Sequence, residues 1–210
     1  MDDYTEYLKI LVSIFALVSP MSAIPVFIGL TDGMTKAQQK HVGHVSSISV
    51  AIILIISVIV GEPLLNFFGI SMGAFRMAGG LLVLLMGIAM MHGHISQAKR
   101  TPSEAKEAQF KDTVSVVPLA IPIMAGPGAI SMMIVSSHQV QGLTGKMVLV
   151  GISFIVALTV WIALRLAGPI SRFLGNTGIN IIARVMGLIL ASVGIELLVT
   201  GIKQLFPSLG

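Results

Sequence analysis

Six long apolar segments constrain the fold of this chain more than any other feature. They cover approximately residues 8–30, 44–61, 70–91, 114–136, 147–167 and 181–202. A helix needs about 20 mostly apolar residues to cross the roughly 30 Å hydrocarbon core of a bilayer. Only 10% of the 210 residues are charged, whereas soluble domains carry roughly 25% charged residues. The sequence therefore predicts an all-α integral membrane protein with six transmembrane helices.

The distribution of lysine and arginine predicts the orientation of these spans, because basic loops stay on the cytoplasmic side. The loops on one side of the predicted membrane carry seven basic residues: Lys36, Lys40, Lys99, Arg100, Lys106, Lys111 and Arg172. The segments on the other side carry Lys9, Lys146 and Lys203. The central loop is therefore predicted to be cytoplasmic, with both termini outside. The N-terminus lacks the basic region of a signal peptide, so the first apolar segment is predicted to stay as a span. Since topology explains the basic loops, nucleic acid is not an expected partner.

Two similar halves are predicted at residues 1–94 and 114–210, joined by a loop at 95–113 with a capping box at 101–104. At a separation of 107 residues Pro20 matches Pro127, Gly80 matches Gly187 and Gly87 matches Gly194, and at 106 Pro63 matches Pro169, Phe67 matches Phe173 and Gly69 matches Gly175. Because each half has an odd number of spans, the second half must be inserted in the opposite orientation. Inverted repeats recur in secondary transporters. The alternative is a duplicated membrane scaffold without transport.

The first span of each half contains helix-breaking residues in its interior. The first span has Pro20 and Pro25, and the fourth has Pro118, Pro122, Gly126, Pro127 and Gly128. Proline removes a backbone donor and clashes with the preceding turn, while glycine lowers the cost of unwinding. Non-helical backbone at membrane depth is tolerated only where it is buried or lines a wet cavity. We therefore predict broken helices 1 and 4, with breaks at 20–25 and 122–127. Two kinks without any site are the alternative.

These breaks predict a binding site for a small zwitterionic solute. A half-helix that starts at mid-membrane presents N–H groups and a positive dipole end, which suit a carboxylate. Freed carbonyl groups at a break suit an ammonium group or a coupling cation. Small side chains leave room only for a compact ligand. The predicted substrate-binding residues are Ser19, Pro20, Ser22, Ala23, Pro25, Pro122, Gly126, Pro127, Gly128, Ala129 and Ser131.

Three segments resemble a known family: FALVSPMSAIPVFIGLT at 15–31, VVPLAIPIMAGPGAIS at 116–131 and TGINIIARVMGLILASVGIELLVTGIK at 177–203. They resemble the MarC family of inner-membrane proteins, also called small neutral amino acid transporters, and within it the YchE-type members. The resemblance implies six spans, outward termini, a bacterial inner-membrane location and a relationship to the LysE exporter superfamily. It also implies proton-linked transport of glycine, alanine and similar amino acids. Ser19 and Ser22 depart from the family pattern, which has Asn or Asp at the first position and Gly at the second.

Three ionisable residues in or near the spans are candidates for coupling or gating. Glu196 lies about two-thirds along the last span, where an ionisable group is a functional candidate by default. It is predicted either to carry a proton or to sit near the outer interface, paired with Lys203. Arg76 and Arg184 begin the third spans of the two halves. They are predicted to anchor the spans at the interface, and attraction of an anionic substrate group is the alternative.

Neither a metal nor a cofactor is predicted to take part in the function. Four histidines, His41, His44, His92 and His94, fall on the predicted cytoplasmic side, so a metal or small-ion exporter is the first alternative function. The chain has no cysteine and no Gly-rich phosphate loop, HExxH motif or Ser/His/Asp set, so an enzyme is not predicted. A non-transporting membrane or regulatory component is the second alternative. The sequence leaves the oligomeric state open.

Overall fold

The computed structural model describes residues 3–31, 33–92, 124–140 and 142–206. The predicted loop at 95–113 and its capping box lie outside these ranges. Within them the chain folds almost wholly into α-helices. The helices are α1 (Asp3–Val18), α2 (Pro20–Leu30), α3 (Lys36–Phe67), α4 (Met72–Met91), α5 (Pro127–Gln139), α6 (Gly142–Arg165) and α7 (Ala167–Leu205).

Among the described residues, five helical stretches are long and apolar enough to cross a membrane. They cover Tyr4–Ile28, Lys36–Phe67, Met72–Met91, Gly142–Arg165 and Thr177–Leu205. Large apolar side chains such as Ile56, Leu158 and Leu188 are exposed along them, as expected of helices that face lipid. The all-α prediction is confirmed for the described residues. The fourth predicted span, at 114–136, is described only from residue 124, and α5 forms its last part.

Two predicted spans are parts of much longer helices in the structure. The span predicted at 44–61 is the middle of α3, which already starts at Lys36 because Thr35 and Gln38 form a reciprocal capping box. The span predicted at 181–202 is part of α7, which begins at Ala167 and has a kink at Gly175 (φ 60°, ψ −179°). Only glycine adopts this backbone conformation readily. The kink separates a short first segment of α7 from its long apolar part.

Helices α4 and α7 form the most extensive helix contact among the described residues. Their backbones meet at glycines spaced seven residues apart, since Gly73, Gly80 and Gly87 in α4 face Gly201, Gly194 and Gly187 in α7. The pairs run in opposite order along the two helices, so the helices are antiparallel. Glycine at these positions permits close backbone packing, which commonly joins helices in membranes.

Replacement of Gly87 by valine should strongly destabilise this contact. A Cβ atom at position 87 would lie 2.6 Å from the backbone nitrogen of Ala191 and 2.7 Å from the carbonyl oxygen of Gly187. Backbone atoms cannot move aside cheaply, so we expect a loss of about 3 kcal/mol or more. Thermal unfolding of the purified protein in detergent measures it. Gly151→Val is the matched control, because a Cβ atom there meets nothing within 4 Å; equal stability of the two variants would contradict the packing.

The two ends of the bundle differ in charge. At one end, called the basic end here, α3 begins with Lys36 and α6 ends with Arg165. At the opposite end, Glu62 of α3 lies 3.0 Å from Nδ1 of His138 in α5 and 3.6 Å from Nζ of Lys146 in α6. These contacts fix α3 and α6 as antiparallel and place the end of α5 away from the basic end.

Candidate functional site

The first span is broken at Ser19, between α1 and α2. Ser19 adopts a left-handed backbone conformation (φ 46°, ψ 67°), which costs roughly 1–2 kcal/mol for a residue with a side chain. Pro20 explains the position of the break. A proline disfavours the helical region for the residue before it and is well suited to the first position of a new helix. The buried hydroxyl groups of Ser19 and Ser22 lie 2.6 Å apart.

The break does not extend to Pro25, which corrects the interval predicted from the sequence. Pro25 lies inside α2, and its side chain is exposed. Its ring nitrogen faces the carbonyl of Met21 in the first turn, so the helix loses one hydrogen bond and continues. Ala23, by contrast, is half-buried and packs against the central apolar core. Ser19, Pro20, Ser22 and Ala23 therefore define this side of the candidate site.

A second helix starts inside an apolar segment at Pro127. Gly126 precedes α5 in an extended conformation, and no side chain caps the helix. Pro127 and Pro20 thus have the same role at matched positions of the two halves, each near the first position of a helix. Gly128, Ala129 and Ser131 are buried, whereas Pro127 is exposed. Pro118 and Pro122 lie outside the described residues, so the predicted break in the fourth span is described only where α5 begins.

The start of α5 packs against the last turn of α1, just before α2 begins, and α2 and α5 run in opposite directions. A Cβ atom at Gly128 would be 3.0 Å from Cδ2 of Leu17, in the last turn of α1. From this level α2 runs to the basic end, and α5 runs to the opposite end, where His138 meets Glu62. With a rise of about 1.5 Å per residue, α1 is roughly 24 Å long and α2 roughly 16 Å. The depth at which α1 ends and α5 begins is therefore well inside the bundle.

Helix α4 covers the start of α5 closely. A Cβ atom at Gly128 would lie 2.9 Å from Sδ of Met86, and one at Gly79 would lie 2.9 Å from Cβ of Ser131. The space around the start of α5 is thus filled by Leu17, Met86 and the backbone of α4. The predicted site does not include Leu17, Gly79 and Met86, because the sequence prediction rests on the prolines of the first and fourth spans and on the small residues beside them. Their positions follow from tertiary packing alone.

Arg76 on α4 is buried, with 2% of its surface exposed. Its Nε atom has no hydrogen-bond partner, and no carboxylate in the described ranges pairs with it. The side chain of Arg76 therefore does not reach the protein surface, as the predicted anchoring at the membrane interface would require. The hydroxyl of Ser136, on α5, is also buried and has no hydrogen-bond partner in the part of the chain that the structure describes. Buried polar groups usually have partners and call for an explanation where they do not, and these two lie on the helices that meet at Gly79 and Ser131.

The other two candidates for coupling or gating lie on the outer surface of α7. Arg184 is exposed, unlike Arg76, and the separation of 107 residues matches Arg76 with the buried Ala183 rather than with Arg184. Glu196 is also exposed, next to the exposed side chains of Ile195 and Val199. It forms no ion pair with Lys203. Neither residue is placed at the helix starts.

The histidines considered as metal ligands are spread over different contacts. His44 packs against Trp161 with ring centroids 5.6 Å apart, and Nδ1 of His92 lies 2.9 Å from the carbonyl oxygen of Ile88. His94 lies outside the described residues. Within the ranges that the structure describes, no three histidine or acidic side chains group closely enough to hold a metal ion.

Comparison with known proteins places this chain in a family. The profile of the MarC family integral membrane proteins matches residues 4–206. The UPF0056 membrane protein YhcE of Escherichia coli K12 is 43% identical over 210 residues, covering 99% of this chain and 96% of its own length. A UPF0056 membrane protein of Buchnera aphidicola (Schizaphis graminum) is 40% identical, covering 100% and 97%, and one of Aquifex aeolicus is 31% identical, covering 95% and 93%. No solved structure matches. The chain belongs to the MarC family of integral membrane proteins.

Proposed function

We propose that this protein is a secondary transporter of small neutral amino acids, of the glycine, alanine and serine type, that works by alternating access. The substrate is a zwitterion held between the starts of α2 and α5. Transport is proton-linked and runs as export or uptake across a bacterial inner membrane, with both termini outside.

One observation carries the proposal: α5 starts against the last turn of α1, close to where α2 begins, and α2 and α5 run to opposite ends of the bundle. The first N–H groups of a helix have no partner within the helix, and no side chain caps α5. A carboxylate bound there would accept from these donors and be stabilised by the positive end of the helix dipole. Beside the start of α2, the hydroxyl oxygens of Ser19 and Ser22 lie 2.6 Å apart and can accept from an ammonium group, although the positive end of α2 does not itself favour a cation. Opposed half-helices around a midplane site recur in secondary transporters.

Arg76 and the small residues around α5 narrow the substrate class. A buried guanidinium with no ion-pair partner among the described residues is costly. Because Arg76 lies on α4 about 15 Å along the helix from Met86, its proposed role is to attract a carboxylate on its way to the start of α5 rather than to hold it there. The close approach of Met86 and Leu17 to Gly128 leaves little room beyond a methyl or hydroxymethyl side chain. Since the helix starts are covered on these sides, α5 must move relative to α4 or α1 for the substrate to enter.

An inverted repeat of two three-helix halves, with six spans in total, is the architecture that we propose. Three matched features support it. Pro20 and Pro127 lie near the starts of their helices, and Gly69 (φ 66°) and Gly175 (φ 60°) both have left-handed backbone before the last span of their half. The third feature is the contact of Gly80 with Gly194 and of Gly87 with Gly187. Because the repeat matches Gly80 with Gly187 and Gly87 with Gly194, these two contacts are equivalent to each other. A two-fold axis in the membrane plane would relate all three.

The proposal is tested by counterflow of radiolabelled alanine in proteoliposomes that contain the purified protein. We expect alanine and glycine to exchange faster than in protein-free liposomes, with excess unlabelled serine competing and leucine not competing. A proton gradient should change the net flux. Flux equal to that of protein-free liposomes for all of these amino acids would contradict the proposal and favour a non-transporting membrane component.

Replacement of Glu196 by glutamine should leave alanine flux and its response to a proton gradient unchanged. The side chain is on the outer surface of α7, away from the starts of α2 and α5, so loss of its charge should not affect the substrate. Proteoliposome flux with and without a pH gradient measures this. Loss of the gradient response with substrate exchange retained would instead assign proton transfer to Glu196.

A further inference from the structure

A cavity of about 660 Å³ opens at the basic end, between α2, α3, α6 and α7. It is called the basic cavity here. Its lining includes four basic side chains, one histidine and one tryptophan, which lie on α3, α6 and α7: Lys36, Lys40, His44, Trp161, Arg165 and Arg172. It is separate from the helix starts described above, since none of Ser19, Gly128 or Ser131 lines it.

The cations of the basic cavity have no counter-charge in the described part of the chain. None of the described lining residues is acidic, and the ion pairs of the described residues, which involve Glu62, lie at the opposite end. Four permanent positive charges that converge on one concave surface create a strong local potential for an anion. The first turns of α3 and α7 line the cavity, but so do the last turns of α2 and α6, so the helix-dipole ends offset one another and the basic side chains supply the potential.

Trp161 gives the cavity a rigid wall. Its indole Nε1 donates to Nε2 of His44 at 3.4 Å, and the guanidinium carbon of Arg165 lies 5.1 Å from its ring centroid. Tryptophan at the end of a transmembrane helix typically lies at the level of the lipid headgroups. Apolar lining residues, including Phe27, Ile28 and Leu164, continue the wall beside the charged groups.

We propose that the basic cavity binds the phosphate group of an anionic membrane lipid. Arginine and lysine on several helices bind the phosphate oxygens, and the apolar wall contacts the glycerol and the first part of the acyl chains. Basic pockets between transmembrane helices are a recurring type of lipid-headgroup site. The combination of charged and apolar lining favours a lipid over free phosphate, which has no apolar part. This site does not depend on the proposed transport.

The chain has one tryptophan, so the fluorescence of Trp161 reports on this cavity directly. The full-length protein in neutral detergent is titrated with short-chain phosphatidylglycerol, with phosphatidylcholine of the same chain length, and with inorganic phosphate. We expect a saturable change with phosphatidylglycerol at concentrations at least tenfold below those for the other two probes, because each basic residue contributes roughly a fivefold effect. The variant Lys40→Gln/Arg172→Gln leaves the contacts of Trp161 in place and should weaken binding by roughly twentyfold.

The control variant, Lys9→Gln/Lys203→Gln, removes the same charge from exposed positions outside the cavity. It should bind phosphatidylglycerol as the unchanged protein does. If both double variants bound phosphatidylglycerol equally weakly, the proposed site would be overturned, since net charge alone would then explain the binding. Equal affinity for phosphatidylglycerol and phosphatidylcholine would also overturn it. Saturation by inorganic phosphate at or below the phosphatidylglycerol concentration would overturn the assignment to a lipid.

Discussion

Replacement of Arg76 by glutamine is expected to reduce alanine flux by roughly 10- to 150-fold, because a hydrogen bond to a charged group contributes about 1.5–3 kcal/mol. The proposed role of Arg76 is to attract the substrate carboxylate from its buried position on α4. Glutamine keeps a similar length and polarity but removes the charge. Proteoliposome flux measures the effect, and Arg76→Lys should retain more activity than Arg76→Gln.

A second measurement separates this role from a structural one. Since no described carboxylate pairs with Arg76, removal of its charge should leave the thermal stability of the protein unchanged or raise it. Arg184→Gln is the matched control, because Arg184 is an exposed arginine on α7, and it should transport normally. A variant Arg76→Gln that transports at the rate of the unchanged protein would exclude the proposed role.

Replacement of Gly128 by valine is expected to abolish alanine and glycine flux while the protein still inserts and folds. The added side chain would occupy the start of α5, within about 3 Å of Sδ of Met86 and Cδ2 of Leu17. Both neighbours are ends of flexible side chains that can move, so we expect a modest destabilisation of about 1–3 kcal/mol. Flux and thermal unfolding are measured on the same preparation.

The control for Gly128→Val is Gly151→Val, a change of the same size on α6 where the new Cβ atom meets nothing within 4 Å. It should affect neither flux nor stability. Flux in Gly128→Val comparable to that of Gly151→Val would show that the start of α5 does not hold the substrate.

The position of the first break could be predicted because proline acts locally. Pro20 restricts the residue before it, and the structure has the break there, at Ser19. The predicted extension of this break to Pro25 is wrong. A proline in the second turn removes only one hydrogen bond, and α2 tolerates it. The helical class followed from the length and composition of the apolar segments, which local sequence determines.

Burial of individual charged residues could not be predicted, because it depends on which helices pack together. Arg76 and Arg184 occupy similar places in the sequence, yet the first is buried and the second is exposed. The basic cavity is a second example. In the sequence, Lys40 and Arg172 lie in separate predicted loops, where they indicate only the orientation of the spans. The packing of α3, α6 and α7 brings them to one cavity.

The most direct test of a substrate site between the two helix starts uses single cysteines, because the chain has none of its own. Ser22→Cys on α2 and Ser131→Cys on α5 place one thiol on each side of the site, and Ser192→Cys on the exposed face of α7 is the control. The rate of modification by a small membrane-permeant thiol reagent is measured with and without alanine. We predict that alanine slows modification at positions 22 and 131 and not at 192. Transport-competent variants that react at the same rate with and without alanine would contradict a site between α2 and α5.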